Sequence, residues 1–81
     1  MIRLILVDDD VAFTRVLKRA MTARDYEVTV CNTIDEARET AAVAHADVVL
    51  LDLNISGESG TVLIDAFSAI NPKTRIVVLT A

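Results

Sequence analysis

The sequence predicts an α/β domain built on one parallel sheet, and three observations carry that prediction. Four short runs have strand length: Ile2 to Val7, Glu27 to Cys31, Asp47 to Leu51 and Arg75 to Leu79. The segments between them repeat apolar residues at helical spacing, which gives β-α-β-α-β-α-β. Such alternation makes a parallel sheet with right-handed crossovers. Finally, the first, third and fourth runs are nearly continuous in apolar residues, as in strands covered on both faces.

Ile2 to Val7 is broken only by Arg3. Asp10 then fits the N-cap of a helix, because a short acidic side chain accepts from the unpaired N–H groups of the first turn. In that helix Phe13, Leu17, Ala20 and Met21 form the expected inward stripe, with Arg15, Lys18, Arg19 and Arg24 on the wet side. Glu27 to Cys31 alternates polar and apolar residues, which suggests a less covered strand at an edge.

Thr33-Ile34-Asp35-Glu36 matches the capping box, a hydroxyl residue followed three positions on by Glu. The helix should run to about Ala44, with Ile34, Ala37 and Ala41 inward and its alanines permitting close approach to the sheet. His45 falls in the next turn, where a lone histidine is expected to be solvent-exposed. The third strand, Asp47 to Leu51, leads into a loop at Asp52. Ile55-Ser56-Gly57-Glu58-Ser59-Gly60 is turn-rich and is expected to be mobile. The third helix spans roughly Thr61 to Ile70, with Leu63, Ile64, Phe67 and Ile70 apolar, and Asn71-Pro72 stops it. Thr80 sits at the C-terminal end of the fourth strand.

The 81 residues read as one domain, 1–81, with no linker and no low-complexity segment. A net charge of -4 and the lack of a Lys/Arg-rich run argue against direct nucleic-acid binding. No apolar stretch approaches the ~20 residues of a membrane span, and the start reads as a strand rather than a signal peptide. One cysteine, Cys31, excludes an internal disulfide and fits a reducing, cytoplasmic setting.

In open α/β sheets the site lies beyond the carboxyl ends of the strands, where the strand order reverses. Asp8 and Asp9, Asp52, and Thr80 occupy such ends on strands one, three and four. If strands one and three are neighbours, their acids meet. Each of these could instead be a cap or a loop acid, but three strands placing polar groups at one rim favours a site. Converging carboxylates repel and raise one another's pKa, and a hard divalent cation relieves this. Oxygen ligands with room for water suit Mg²⁺. A carboxylate beside it can act as a nucleophile towards phosphorus, and a hydroxyl such as Thr80 can donate to a phosphoryl oxygen.

Along its whole length the chain resembles the receiver domain of two-component response regulators. The resemblance rests on Ile5-Leu6-Val7-Asp8-Asp9-Asp10, on Asp52 and Asn54, on Gly60 before the third helix, and on Thr80-Ala81. It implies a doubly wound, flavodoxin-like sheet with strand order 2-1-3-4, and residues 1–81 are expected to be an incomplete receiver domain that lacks the family's fifth strand and last two helices. It implies Asp52 as phosphoacceptor for a histidine kinase or phosphotransfer protein. Asp8, Asp9, Asp52 and the Asn54 backbone carbonyl would be the Mg²⁺ set, and Thr80 with Ala81 the switch that follows the phosphoryl group. It also implies an output domain or downstream partner, and transcription regulation, rather than an enzyme.

Ser56 departs from the proline common at that position. The Asp52 loop loosely resembles the regulators of redox and photosynthesis genes. The chain holds no counterpart of the family's fifth-strand lysine, since neither Lys18 nor Lys73 ends a strand. Three aspartates and one Mg²⁺ leave the site near -1, and a phosphoryl group adds about -2. Weak metal binding and poor phosphorylation of these residues alone are therefore expected. Self-association through an exposed fourth-strand edge, or a partly molten monomer, is expected too. The alternatives are a non-phosphorylated pseudo-receiver serving interaction or dimerisation, and a phosphatase of the haloacid-dehalogenase type using Asp8 and Asp10. The latter leaves Asp52 without a role.

Overall fold

A computed structural model of the chain describes residues 1–79 in full and the backbone of Thr80. In chain order the elements are β1 (Ile2–Val7), α1 (Val11–Thr22), β2 (Tyr26–Cys31), α2 (Ile34–Val43), β3 (Val48–Asp52), β4 (Asn54–Ile55), β5 (Glu58–Ser59), α3 (Val62–Ile70) and β6 (Arg75–Thr80). The main sheet is parallel throughout, in the order β2-β1-β3-β6. This is the expected order 2-1-3-4, with the fourth long strand numbered β6 because β4 and β5 precede it.

Alternation along β1 explains its central place. Leu4, Ile5, Leu6 and Val7 are all buried, because successive side chains enter opposite layers and both layers are filled. Ile5 and Val7, with Val49 and Leu51 of β3, join Ile34, Ala37 and Ala41 of α2 and Leu63 and Phe67 of α3 in one core cluster. α2 and α3 thus share a face and pack on each other. Ala37 is wholly buried and Ala41 nearly so, so these small residues bring α2 close to the sheet, as the sequence implied. α1 covers the other face and packs chiefly against β2. β2 is an edge strand, as its alternation suggested, and β6 is the other edge, with Val77 and Val78 exposed.

Three expectations need correction. Phe13 does not lie inward: it is exposed, and the buried residue of α1 is Thr14, with Leu17, Ala20 and Met21 half-buried. The helix sits over β2, so its contact stripe is rotated by one position and Phe13 overhangs the strand ends instead. β3 begins one residue later than expected and ends on Asp52, because Asp47 is spent outside the strand, its carboxylate accepting from the Arg3 N–H at 2.8 Å. The segment expected to be a mobile loop is a short antiparallel hairpin, Asn54 opposite Ser59 and Ile55 opposite Glu58. Ser56 and Gly57 both take positive φ, 52° and 80°, as a two-residue type I′ connection requires. Ile55, 1% exposed, anchors the hairpin in the core.

Candidate functional site

The site lies where β1 and β3, adjacent in the sheet, deliver acids to one rim. Asp8 directly follows β1 and Asp52 ends β3. Asp8, Asp9 and Asp52 each place a carboxylate oxygen within 4.8 Å of the others. Where Asp52 ends β3 the ladder to β6 is irregular: Leu51 pairs with Val78 but Asp52 pairs with Thr80, so Leu79 is the extra residue of a bulge on β6. Leu79, Phe13 and the acids Asp8, Asp9, Asp10 and Asp52 line the cleft, and no basic side chain is among them.

Each acid accepts from a backbone N–H. Asp8 Oδ1 accepts from the Asp10 N–H at 2.9 Å. Asp9 Oδ2 accepts from the Ser56 N–H at 2.8 Å, which ties the first acidic loop to the hairpin turn. Proline at that position would have no N–H to offer. Asp52 Oδ1 accepts from the Asn54 N–H at 3.0 Å, so Asn54 touches the site through its backbone. Asp10 caps α1, its side chain accepting from the Phe13 N–H at 3.0 Å, and it is not among the three clustered acids. Gly60 closes the far side, donating its N–H to the Leu53 carbonyl at 2.8 Å. A Cβ on Gly60 would lie 2.5 Å from the backbone oxygen of Asp52, so only glycine fits this approach.

Asp8 and Asp52 are nearly buried, at 8% and 9% exposure, while Asp9 faces solvent. Burial pushes the Asp8 carboxyl above its ordinary range. The Asp10 N–H opposes this, and the charges of Asp52, Asp9 and Asp10 add to the rise. A carboxyl that resists ionisation beside two others is the electrostatic mark of a site that a cation would relieve. Three hard oxygen donors with one solvent-facing member fit Mg²⁺ or Ca²⁺ rather than a soft metal.

Of the residues the sequence nominated, Asp8, Asp9 and Asp52 come together, and Asn54 adjoins them. The Thr80 backbone pairs beside Asp52, whereas the Thr80 side chain and Ala81 lie outside the described residues. Sequence reasoning missed Asn32 and Thr14. Asn32 Nδ2 donates to the Asp8 carbonyl at 2.8 Å and to Thr14 Oγ1 at 3.1 Å. The signal for Asn32 was present: it is the first residue after β2, the strand-end place that singled out Asp8. Thr14 had only a weak signal, a hydroxyl on the inward side of a helix.

Comparison with known proteins agrees with this geometry. The family described as response regulator receiver domain matches residues 4–81. The chain is similar to the acid tolerance regulatory protein ActR of Rhizobium meliloti (strain 1021), with 38% identity over 95% of this chain and 40% of that protein. It is also similar to the photosynthetic apparatus regulatory protein RegA of Rhodobacter capsulatus, with 32% identity over 95% of this chain and 42% of that protein. The chain thus spans about two fifths of the length of these relatives. A crystal structure of a response regulator protein from Burkholderia pseudomallei, described with a phosphorylated aspartic acid, a calcium ion and citrate, superposes with a TM-score of 0.93. It is 30% identical and covers 99% of this chain and 47% of its own. An acidic rim on a β2-β1-β3-β6 sheet and a family match over nearly every residue lead to one conclusion: this chain belongs to the response regulator receiver domains of two-component signalling.

Proposed function

We propose that this chain is a phosphoryl-accepting module with Asp52 as the acceptor. The observation that carries the reading is the placement of Asp52. It is nearly buried, held by the Asn54 N–H, and within 4.8 Å of two further carboxylates at the mouth of a cleft. The phosphorylated aspartic acid of the Burkholderia relative supports it.

A carboxylate oxygen of Asp52 would attack the phosphorus of a phosphohistidine presented by a histidine kinase or phosphotransfer protein. The P–N bond breaks, its electron pair stays on the imidazole nitrogen, and the acyl phosphate forms on Asp52. The Asn54 N–H keeps Asp52 Oδ1 oriented for this. Asp8, Asp9, Asp52 and the Asn54 backbone carbonyl would hold Mg²⁺, which supplies neutralising charge for the carboxylates and the arriving phosphoryl group. Thr80, the last residue of β6, and Ala81 after it in sequence would respond to the phosphoryl group and pass the change to an output domain or downstream partner in transcription regulation.

No basic side chain lines the cleft among the described residues, so residues 1–81 by themselves should accept slowly and bind metal weakly. Asp10, committed to the helix cap, is a poor second acid for a phosphatase, and the gathered acids give a pseudo-receiver reading no support. No described helix is long and apolar enough to cross a membrane, in keeping with a cytoplasmic module. Incubating the full-length protein with acetyl phosphate and Mg²⁺ tests the reading by intact mass. A gain of one phosphoryl group, lost in Asp52→Asn, is expected. Labelling that survives this substitution overturns the assignment.

A further inference from the structure

We propose that Asn32 is a positioning residue for the Asp8–Asp9 carboxylate pair, acting through the peptide group that joins the two aspartates. The inference rests on the cation-binding and phosphoryl-accepting reading above and deepens it. Asp8 and Asp9 lie where the chain leaves β1 and turns into α1, and such a turn leaves its peptide planes unsupported by a strand ladder. One stretch of neighbouring chain supplies the support. The Asp8 N–H donates to the Cys31 carbonyl at 3.1 Å. On the other side of the same residue, Asn32 Nδ2 donates to the Asp8 carbonyl at 2.8 Å. That carbonyl belongs to the Asp8–Asp9 peptide plane, so holding it fixes the directions in which both side chains leave the backbone. Removing the amide frees the plane to rotate and spreads the carboxylates.

Asn32 is itself held from two directions. Its Nδ2 also reaches Thr14 Oγ1 at 3.1 Å, and Thr14 is 1% exposed. The Thr14 hydroxyl lies 3.1 Å from both the Asp10 and Val11 carbonyls and donates its one proton to either. The hydroxyl oxygen is thereby turned to accept from Asn32. Behind it, the Asn32 N–H donates to Glu36 Oε1 at 2.9 Å, which couples it to the capping box of α2. An amide is the side chain that suits this place. A carboxylate there would face a carbonyl oxygen, and a hydroxyl is too short to span both acceptors.

The test is calorimetric titration of the full-length protein with Mg²⁺, paired with its thermal midpoint without metal. Asn32→Ala should weaken Mg²⁺ binding roughly tenfold, the low end of the loss seen when partners that orient metal ligands are removed. A purely structural role would lower the midpoint and leave the affinity of the folded fraction unchanged, and that result overturns the proposal. If Asn32→Ala does not fold, Thr14→Val and Thr14→Ser decide. The serine variant keeps the acceptor and should bind as the parent does, while the valine variant loses it and should bind more weakly. Equal affinities for the two refute the inference. Asp9→Asn separates this failure from that of the parent reading: Mg²⁺ binding unaffected by Asp9→Asn, or absent in the parent, sinks both. Binding lost in Asp9→Asn but intact in Asn32→Ala sinks only the role of Asn32.

Discussion

Replacing Gly60 by alanine should destabilise the protein and weaken its cation site by the same displacement. The added methyl would lie 2.5 Å from the Asp52 carbonyl oxygen and 3.3 Å from Leu53 Cα. Both neighbours are backbone, so no rotamer change relieves the clash. The Gly60 φ is outside the left-handed region, so the cost is one of space rather than conformational strain. Relief requires the Asp52 peptide to move away by several tenths of an ångström, which also stretches the 2.8 Å bond from the Gly60 N–H to the Leu53 carbonyl. Overpacking of this kind costs roughly 1–3 kcal/mol. For a small domain that is a fall of about 4–8 °C in Tm per kcal/mol. Urea unfolding followed by circular dichroism gives the free energy, and Mg²⁺ titration gives the affinity. Because the displaced carbonyl belongs to Asp52, both should fall together. A Gly60→Ala protein within about 0.5 kcal/mol of the parent, with unchanged Mg²⁺ affinity, would refute the reasoning.

Further outcomes follow from the same geometry. Asp8→Asn keeps the acceptor for the Asp10 N–H and removes a charge that burial and its acidic neighbours disfavour. The folded state holds the Asp8 proton more tightly than the unfolded chain, so this group favours folding at acid pH and that contribution is lost as pH rises above the ordinary value of 3.8. Asp8→Asn should therefore raise the metal-free Tm at pH 7, with the gain vanishing below that value, and a lower Tm at pH 7 would contradict this. Thr33→Ala removes the oxygen that accepts from the Glu36 N–H at 3.0 Å. It should cost about 1 kcal/mol, and hydrogen exchange should show the loss in the first turn of α2; unchanged protection there counts against the cap. Residues 1–81 alone should self-associate through the β6 edge, where Val77 and Val78 are exposed. Sedimentation at rising concentration would show this, and a concentration-independent monomer contradicts it.

Much of the fold was legible because its determinants are local and repetitive. Ile2 to Val7 carries the mark of a doubly covered strand, and Thr33 with Glu36 marks a helix start without reference to anything distant. Apolar runs also placed Asp8 and Asp52 at strand ends. Their meeting depended on β1 and β3 being neighbours, which the resemblance supplied and the register confirms. The failures were of another kind. For Phe13, helical spacing defines a stripe but not which strand it covers, and over β2 the buried position is Thr14. The hairpin at Ser56-Gly57 reads as loose chain because turn residues mark both mobile loops and tight connections. What decides is the burial of Ile55, and a sequence does not show that. Asn32 holds the strand-end place after β2, but its partners, the Asp8 carbonyl and the Thr14 hydroxyl, are brought to it only by the packing of β1 and α1, which the residue string does not show.

The most direct test of a shared pocket for the acids of β1 and β3 is amide NMR of the full-length protein with substoichiometric Mn²⁺. Broadening should concentrate at residues 8–10 and 52–56 and disappear in both Asp9→Asn and Asp52→Asn. Broadening spread over the other acidic residues, such as Glu27 and Asp35, or left unchanged by either substitution, would contradict the account.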